Sequence, residues 1–592
     1  MNVQPVPVTK VLHPENCVVS SILDDQGNEL VLSRLGDNVW DLHPYFEQSN
    51  VPESMKAIKW PTGLPEDLLN DMKLAMYKWM KHGRPGYVQA SARTVFIATV
   101  NSGPLLCWLA DQGVTGFDEV RPLHLANYLH RCRGEKLRPR GIKARFEIVD
   151  LIWLFRTELK RPLQAYPWGN HELAKYCGMY DSAERVNAGI GKTPVIPHDV
   201  QSRLFVYCES WLSQANELLE KRDAGLLGMS SEPMRQLRDC CLYLLSITSG
   251  MRNEEAVGVE INATRSERRD GVDYHWVASV EHKTGKGRVE YLVPALTLDV
   301  VRVLERYAYP LQGALQNEIE LLEASLARPT PGHNTRDTLK RLAQARKDSR
   351  RLILGVIYGK FNQIVALSCT ASGLAFLRLA RDAGVSWRLS PHQCRRTYAR
   401  TFVESRMGRQ SLVFLKWQFK HSSISMSQLY AANPTQDPAL YEDILEEQFQ
   451  FKRELLAAWN DSDTVLSGGA GRKIVSMRAS TVHNRDALIK NTASQINIRA
   501  TGHGWCIAQD AGCGGAGLYE NTRCVDCKNS VIDVDFVPIW QGIHEQQQEL
   551  LELDDLGPVA NARIERDIAL SAKVLSDFGL PRPAVGPKDR NI

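Results

Sequence analysis

Residues 390–401 read SPHQCRRTYART, and this stretch decides the fold. Pro391 suits the first turn of a helix, where its missing N–H is not needed. His392 and Arg395 then stand three apart, on one helical face. Upstream, residues 237–250 read LRDCCLYLLSITSG, apolar nearly all round, which predicts a buried helix stopped by Gly250. Arg252 follows at once in SGMRNEEAVGV. Next come VDYHWVASV (272–280) and RVEYLVP (288–294), two alternating, β-branched and aromatic runs flanking EHKTGKG. They predict a β-hairpin whose tip carries Lys283 and Lys286. Downstream, KHSSISMSQLY places His421 nine residues before Tyr430, around the start of a short helix. Each fragment has a bland reading taken singly: a capping arginine, a solvated tip lysine, a surface His–Arg pair, a half-buried tyrosine. Their order and contexts together are harder to dismiss.

The rest of the chain is organised around this unit. A soft prior of roughly 150 residues per domain gives 592 residues about four units. Residues 1–62 read as short strands or irregular structure with no assignable role. Residues 63–190 carry four or more helices, including LPEDLLNDMKLAMYKWMKHG and IKARFEIVDLIWLFRTEL, closed by a Gly/Pro/Asn-rich linker. Residues 197–455 hold the fragments above, with a charged helical hairpin expected as an insertion at about 311–354. Residues 456–592 contain a Gly-rich joint, a cysteine cluster and an acidic helical tail. The expected fold class is mainly α with a small antiparallel β-sheet (α+β).

Composition narrows the function classes. Hydrophobic residues make up 43% and charged residues 24%, which fits neither a disordered nor a fibrous chain. No uninterrupted apolar run approaches the ~18 residues of a spanning helix, and no secretory signal is evident, so a cytoplasmic protein with no membrane partner is expected. The net charge of +4 announces nothing by itself, but its distribution does. Lys81 to Arg161 carries 14 basic against 7 acidic residues, and Arg328 to Arg351 carries 8 against 2. Such basic blocks suit a phosphate-binding surface, with a solvated helix face as the alternative.

Taken together, SGMR (Arg252), HKTGKG (Lys283), HQCR (His392, Arg395) and HSSISMSQLY (His421, Tyr430) resemble the motifs of the tyrosine site-specific recombinases, the phage-integrase family. The resemblance covers residues 65 to 445, because the helical first unit also looks like that family's core-binding domain. Three departures stand out: Lys420 where glycine commonly precedes the histidine, Arg396 where a histidine often follows the second arginine, and a long gap from Lys283 to His392. None removes a catalytic group. The resemblance implies double-stranded DNA with attachment-type sites as partner, a homotetramer on two duplexes, accessory DNA-bending or directionality proteins, and nucleoid association when bound. Integration or excision of a mobile element is the expected role. A type IB topoisomerase-like activity and a catalytically silent DNA-binding protein are the alternatives.

The chemistry agrees with these residue types. Breaking a phosphodiester with retention of its energy needs an oxygen nucleophile that forms a covalent intermediate, and Tyr430 can supply it as a 3′-phosphotyrosyl bond. Arg252 and Arg395 offer planar, permanently charged guanidiniums to the non-bridging oxygens of the transition state. Lys283 is the general acid that the resemblance implies for the 5′-oxygen, with Lys286 as the other candidate. His392 can exchange the tyrosine proton near neutral pH, and His421 is expected to hydrogen-bond the scissile phosphate. Should Tyr430 not be the nucleophile, Tyr398 and Tyr441 are the nearest others. No P-loop or clustered carboxylate motif accompanies the set, so no cofactor is expected for catalysis.

The fourth unit carries Cys506, Cys513, Cys524 and Cys527, spaced C-x6-C-x10-C-x2-C. The C-x2-C half fits a zinc knuckle, so a structural Zn²⁺ is expected there, with His503 able to replace one ligand. Buried free thiols and a Cys524–Cys527 redox pair are the other readings.

Overall fold

The computed structural model describes residues 14–23, 27–46, 51–84, 89–169, 172–179, 193–269, 272–281, 287–328, 334–357, 362–406, 438–478, 485–508, 521–553 and 557–580. The fold is mainly helical with small antiparallel sheets, as expected for the α+β class. Among the described residues, no helix is long and apolar enough to cross a membrane.

The N-terminal segment joins the helical unit rather than standing apart from it. Strands β1 (Val18–Leu23) and β2 (Glu29–Arg34) pair antiparallel, as do β3 (Val39–Asp41) and β4 (Ala57–Lys59). Their inward residues Val19, Trp40, Ile58 and Trp60 share one apolar cluster with Leu68, Met72 and Met76 of α1 (Glu66–His82). Trp40 and Trp60 meet edge to face, 4.7 Å between ring centroids. α2 (Ala92–Asp111), α3 (Pro122–Gly134) and α4 (Pro139–Leu154) complete this cluster, and a short turn of helix, α5 (Leu173–Tyr176), closes it. Asp71 is buried on α1, where it accepts from the backbone N–H groups of Lys160 and Arg161, both at 2.8 Å.

A second apolar cluster takes its described residues from Ile196 to Leu575. After α6 (His198–Ser213) and α7 (Ala215–Asp223) comes α8 (Glu232–Ser249), the helix expected to be buried; every residue from Leu237 to Ser249 is. Its hydroxyls are satisfied within the helix: Ser246 donates to Leu242 O at 2.7 Å and Thr248 to Leu244 O at 2.7 Å. α9 (Asn253–Val257) leads into a three-stranded antiparallel sheet of β5 (Thr264–Arg269), β6 (Val272–Glu281) and β7 (Gly287–Val293). The β6–β7 hairpin matches the expected one; β5, reading TRSERR, is a charged edge strand that the alternation rule misses.

α10 (Ala295–Ala327) and α11 (Thr335–Asp348) form the helical pair. The helical elements do not share the bounds of the charged stretch at about 311–354: helix already begins at Ala295, and Leu354 opens β8 (Leu354–Ile357), which pairs with β9 (Gln363–Ala366). α10 passes through Pro310 without ending. Proline removes the N–H that would bind the carbonyl of residue 306; here Arg222 on α7 binds the Arg306 carbonyl instead, at 3.1 Å, and that of Tyr307 at 3.0 Å. α12 (Cys369–Asp382), α13 (Pro391–Arg406) and α14 (Pro438–Trp459) follow. Then come α15 (Gly469–Met477), α16 (Arg485–Gln495), a small sheet of β10 (Arg499–Ala500), β11 (Trp505–Cys506) and β12 (Ser530–Val531), and the pair α17 (Val537–Leu551) and α18 (Pro558–Asp577). Trp505, Trp540 and Val574 from this region lie in the same apolar cluster as α8 and α14, and Trp505 meets Phe451 edge to face.

The two clusters touch through polar groups on one face of α11. Arg336 donates to Val31 O at 3.4 Å, Lys340 pairs with Asp41, Gln344 accepts from Lys56 Nζ at 3.0 Å, and Lys347 donates to Phe46 O at 2.6 Å.

Candidate active site

Gly250 ends α8 with φ +68°, the left-handed cap that glycine adopts without penalty. A β-carbon there would also stand 2.7 Å from Tyr398 Cδ1 and 3.2 Å from Leu440 Cδ1, so this position requires glycine twice over. The turn delivers Arg252 to the N-terminus of α9. Glu255, three residues on, reaches back to accept from the Arg252 backbone N–H at 2.6 Å, one half of a capping box. Its other oxygen takes Arg252 Nη1 at 2.8 Å.

Glu255 is fully buried (0% exposed), and four elements converge on it. Tyr291 on β7 donates to Oε2 at 2.7 Å, and Ser279 on β6 donates to its backbone carbonyl at 2.6 Å. Arg395 on α13, only 2% exposed, brings Nη1 to 4.0 Å from Oε2. Arg252 and Arg395 thus meet across one carboxylate, although 143 positions separate them (395 minus 252). A buried guanidinium needs a counter-charge and hydrogen-bond acceptors. Arg395 finds them in Asp443 Oδ2, 2.6 Å from its Nε, and in the Gly250 carbonyl, 3.2 Å from its Nη1. The peptide that carries the cap therefore also orients the second arginine.

His392 is exposed at the start of α13, one turn before Arg395. Arg396, the departure from the family pattern, takes a structural part: its Nε pairs with Glu447 on α14 at 2.7 Å and its Nη1 binds the Thr193 carbonyl. Thr397 accepts from Ile196 N–H at 3.0 Å, so α13 holds the chain entering this unit. Lys283, Lys286, His421 and Tyr430 lie outside the described residues, although the β6–β7 strands flanking 282–286 anchor on Glu255. Tyr398, named as an alternative nucleophile, is buried against Gly250 and stacks on Phe402.

Sequence reasoning missed Glu255 and Asp443. The first had a local signal, a glutamate three residues after a helix N-cap. The second had none, since it depends on α14 packing against α13.

Of the cysteines, Cys506 on β11 pairs in register with Ser530, whose N–H binds the Cys527 carbonyl at 3.0 Å. The Cys524 carbonyl accepts from Cys527 N–H at 3.4 Å. Cys506, Cys524 and Cys527 thus attach to one end of this small sheet, while Cys513 lies outside the described residues. Among the described residues, no three His, Cys, Asp or Glu side chains converge closely enough to hold a metal ion. His503 is buried, and burial pushes its pKa down to about 4.

No protein-family model matches the chain, and no curated protein matches it. Among solved structures, the crystal structure of XerA recombinase aligns at 12% identity over 63% of this chain and 98% of that one, with a TM-score of 0.17. The crystal structure of XerH site-specific recombinase bound to difH substrate aligns at 12% identity over 65% of this chain and 87% of that one, with a TM-score of 0.23. Scores this low do not establish a shared fold, so the family reading rests on the motifs and on the arginine site.

Proposed function

We propose that this chain is a tyrosine recombinase: an enzyme that breaks and rejoins duplex DNA through a 3′-phosphotyrosyl intermediate. The observation that carries the reading is the meeting of Arg252 and Arg395 across Glu255, with His392 one turn away. Two preorganised guanidiniums that share the buried Glu255 carboxylate suit a phosphate that gathers negative charge in the transition state. In this reading the Tyr430 oxygen attacks the scissile phosphorus and the 5′-oxygen leaves. Lys283 gives that oxygen a proton, and His392 takes the tyrosine proton. The reverse attack by a 5′-hydroxyl restores the DNA and frees the tyrosine. Double-stranded DNA is the partner, bound between the 63–190 and 197–455 regions. Strand exchange through a Holliday junction in a homotetramer on two duplexes, in service of mobile-element integration or excision, completes the proposal. Cys506, Cys513, Cys524 and Cys527 are proposed to hold a structural Zn²⁺ that takes no part in strand breakage; their C-x6-C-x10-C-x2-C spacing supports that assignment.

The test is a suicide duplex, nicked so that cleavage traps the protein covalently. An adduct that Tyr430→Phe abolishes supports the reading. Recombinant junctions point to a recombinase, and relaxation of supercoils without junctions points to a topoisomerase-like enzyme. Binding with no adduct from the wild-type chain would sink the enzymatic reading.

A further inference from the structure

The buried arginine of α13 is held from outside its own helix. We infer that Asp443 is a positioning residue for Arg395, an inference that rests on the strand-breaking reading above. The ion pairs that join α13 to α14 include Arg395–Asp443 at 2.6 Å, Arg396–Glu447 at 2.7 Å and Arg400–Glu454 at 2.5 Å. The acids recur at spacings of four and seven, which puts them on one face of α14. Only the first pair involves a site arginine.

The distances separate the parts of the two carboxylates around Arg395. Glu255 is committed to Arg252 and Tyr291 and stands 4.0 Å from Arg395 Nη1, so it supplies charge but little direction. Asp443 touches Nε at hydrogen-bond distance. A guanidinium is rigid and planar, so fixing Nε and Nη1 fixes the direction of every other N–H. The Asp443 side chain is itself 45% exposed, so its removal leaves no buried hole. It leaves instead a buried guanidinium whose Nε has lost the Asp443 acceptor and whose plane can turn about the Nη1 contact to Gly250. A misplacement of about 1 Å in such a group can lower a rate about 100-fold.

The experiment uses the full-length protein and single-turnover cleavage of the suicide duplex. Asp443→Asn is expected to lower the cleavage rate about 10- to 100-fold. DNA affinity should stay within about twofold, because many phosphate contacts share it. Glu454→Gln, from the same row of pairs, should leave cleavage within about twofold, since the Glu454 side chain is 47% exposed and its partner Arg400 keeps Glu447 at 4.0 Å. Two readouts separate positioning from mere support. Asp443→Asn combined with Arg395→Ala should be no slower than Arg395→Ala alone, because groups that act through one another are not additive. On a substrate whose scissile phosphate is a neutral methylphosphonate, the gap between wild type and Asp443→Asn should shrink, because the charge that Arg395 meets is gone. Normal cleavage by Asp443→Asn, or full additivity with Arg395→Ala, overturns the inference while leaving the enzyme reading intact. A wild-type chain that forms no adduct overturns the enzyme reading itself. If Asp443→Asn does not fold, Asp443→Glu decides: a folded Glu variant with slowed cleavage supports positioning, and one with the wild-type rate makes the contact structural only.

Discussion

Gly250→Ala tests how the fold and the site share one peptide. Gly250 has φ +68°, and Gly384, which follows α12, has the same φ of +68°. A left-handed non-glycine residue costs roughly 1–2 kcal/mol. The surroundings differ. An added β-carbon at Gly384 meets nothing within 4 Å, whereas at Gly250 it lies 2.7 Å from Tyr398 Cδ1 and 3.0 Å from Cγ. Tyr398 cannot swing aside, because its ring is buried and stacked on Phe402. Overpacking of this kind adds roughly 1–3 kcal/mol. Gly384→Ala should therefore lose about 1–2 kcal/mol and Gly250→Ala about 2–5 kcal/mol, read as urea midpoints at constant slope. Gly250→Ala should also slow suicide-substrate cleavage under conditions where it is fully folded, because the Gly250 carbonyl that orients Arg395 moves with the backbone. Gly384→Ala should cleave normally. Equal destabilisation by the two substitutions would refute the packing argument, and normal cleavage by a folded Gly250→Ala would refute the link to Arg395.

Arg252→Ala and Arg395→Ala should each lower cleavage about 100- to 1,000-fold with little change in DNA binding; near-normal cleavage in either removes that arginine from the site. The N-terminal segment should loosen as pH rises. Burial alone would lower the His43 pKa, but its hydrogen bonds to Asp41 and Glu53 raise it above 6.5, so its stabilisation is full below that value and is lost through the higher folded pKa. Glu53 runs the other way: burial would raise it, yet His43 and Lys56 hold it down to about 2, so its contribution is present above 4.5 and fades as pH falls toward 2. Amide protection in β3 and β4, corrected for the intrinsic pH dependence of exchange, should accordingly be highest between those limits, and protection flat from mildly acidic to alkaline pH would count against the His43 bridge. Purified protein should carry about one zinc per chain, with Cys524→Ser lowering that content; zinc-free protein with unchanged folding of residues 499–531 would rule the site out.

Much of the architecture could be read from local pattern. The apolar run from Leu237 to Ser249 had to be buried, and the alternation in VDYHWVASV and RVEYLVP had to make a hairpin, because each depends on periodicity within a few residues. The motif arginines Arg252 and Arg395 were legible for the same reason: a helix stop and a helix start place them. Charge obscured β5, whose TRSERR sequence makes an edge strand only because β6 offers it a partner. α10 continues through Pro310 with help that no local pattern shows, since the guanidinium of Arg222 comes from 84 positions upstream of the carbonyl that it binds.

What the sequence by itself determined is the chemistry on offer: two guanidiniums, a tyrosine, two histidines and a tip lysine, in a fixed order along helices and a hairpin. Tertiary structure alone decided how the two guanidiniums are held. Glu255 sits between Arg252 and Arg395 only because α9 and α13 both pack against α8, and Asp443 reaches Arg395 only because α14 lies along α13. Likewise Val19, Trp40 and Trp60, from a segment with no readable role, fill the core of the helical unit, which then rests on the polar face of α11. The physical reason is common to all three. Helices and hairpins are set by neighbours a few positions away, whereas the partner of a buried charge or a buried indole is set by which surfaces meet, and residues far apart in the chain leave no local trace of that meeting.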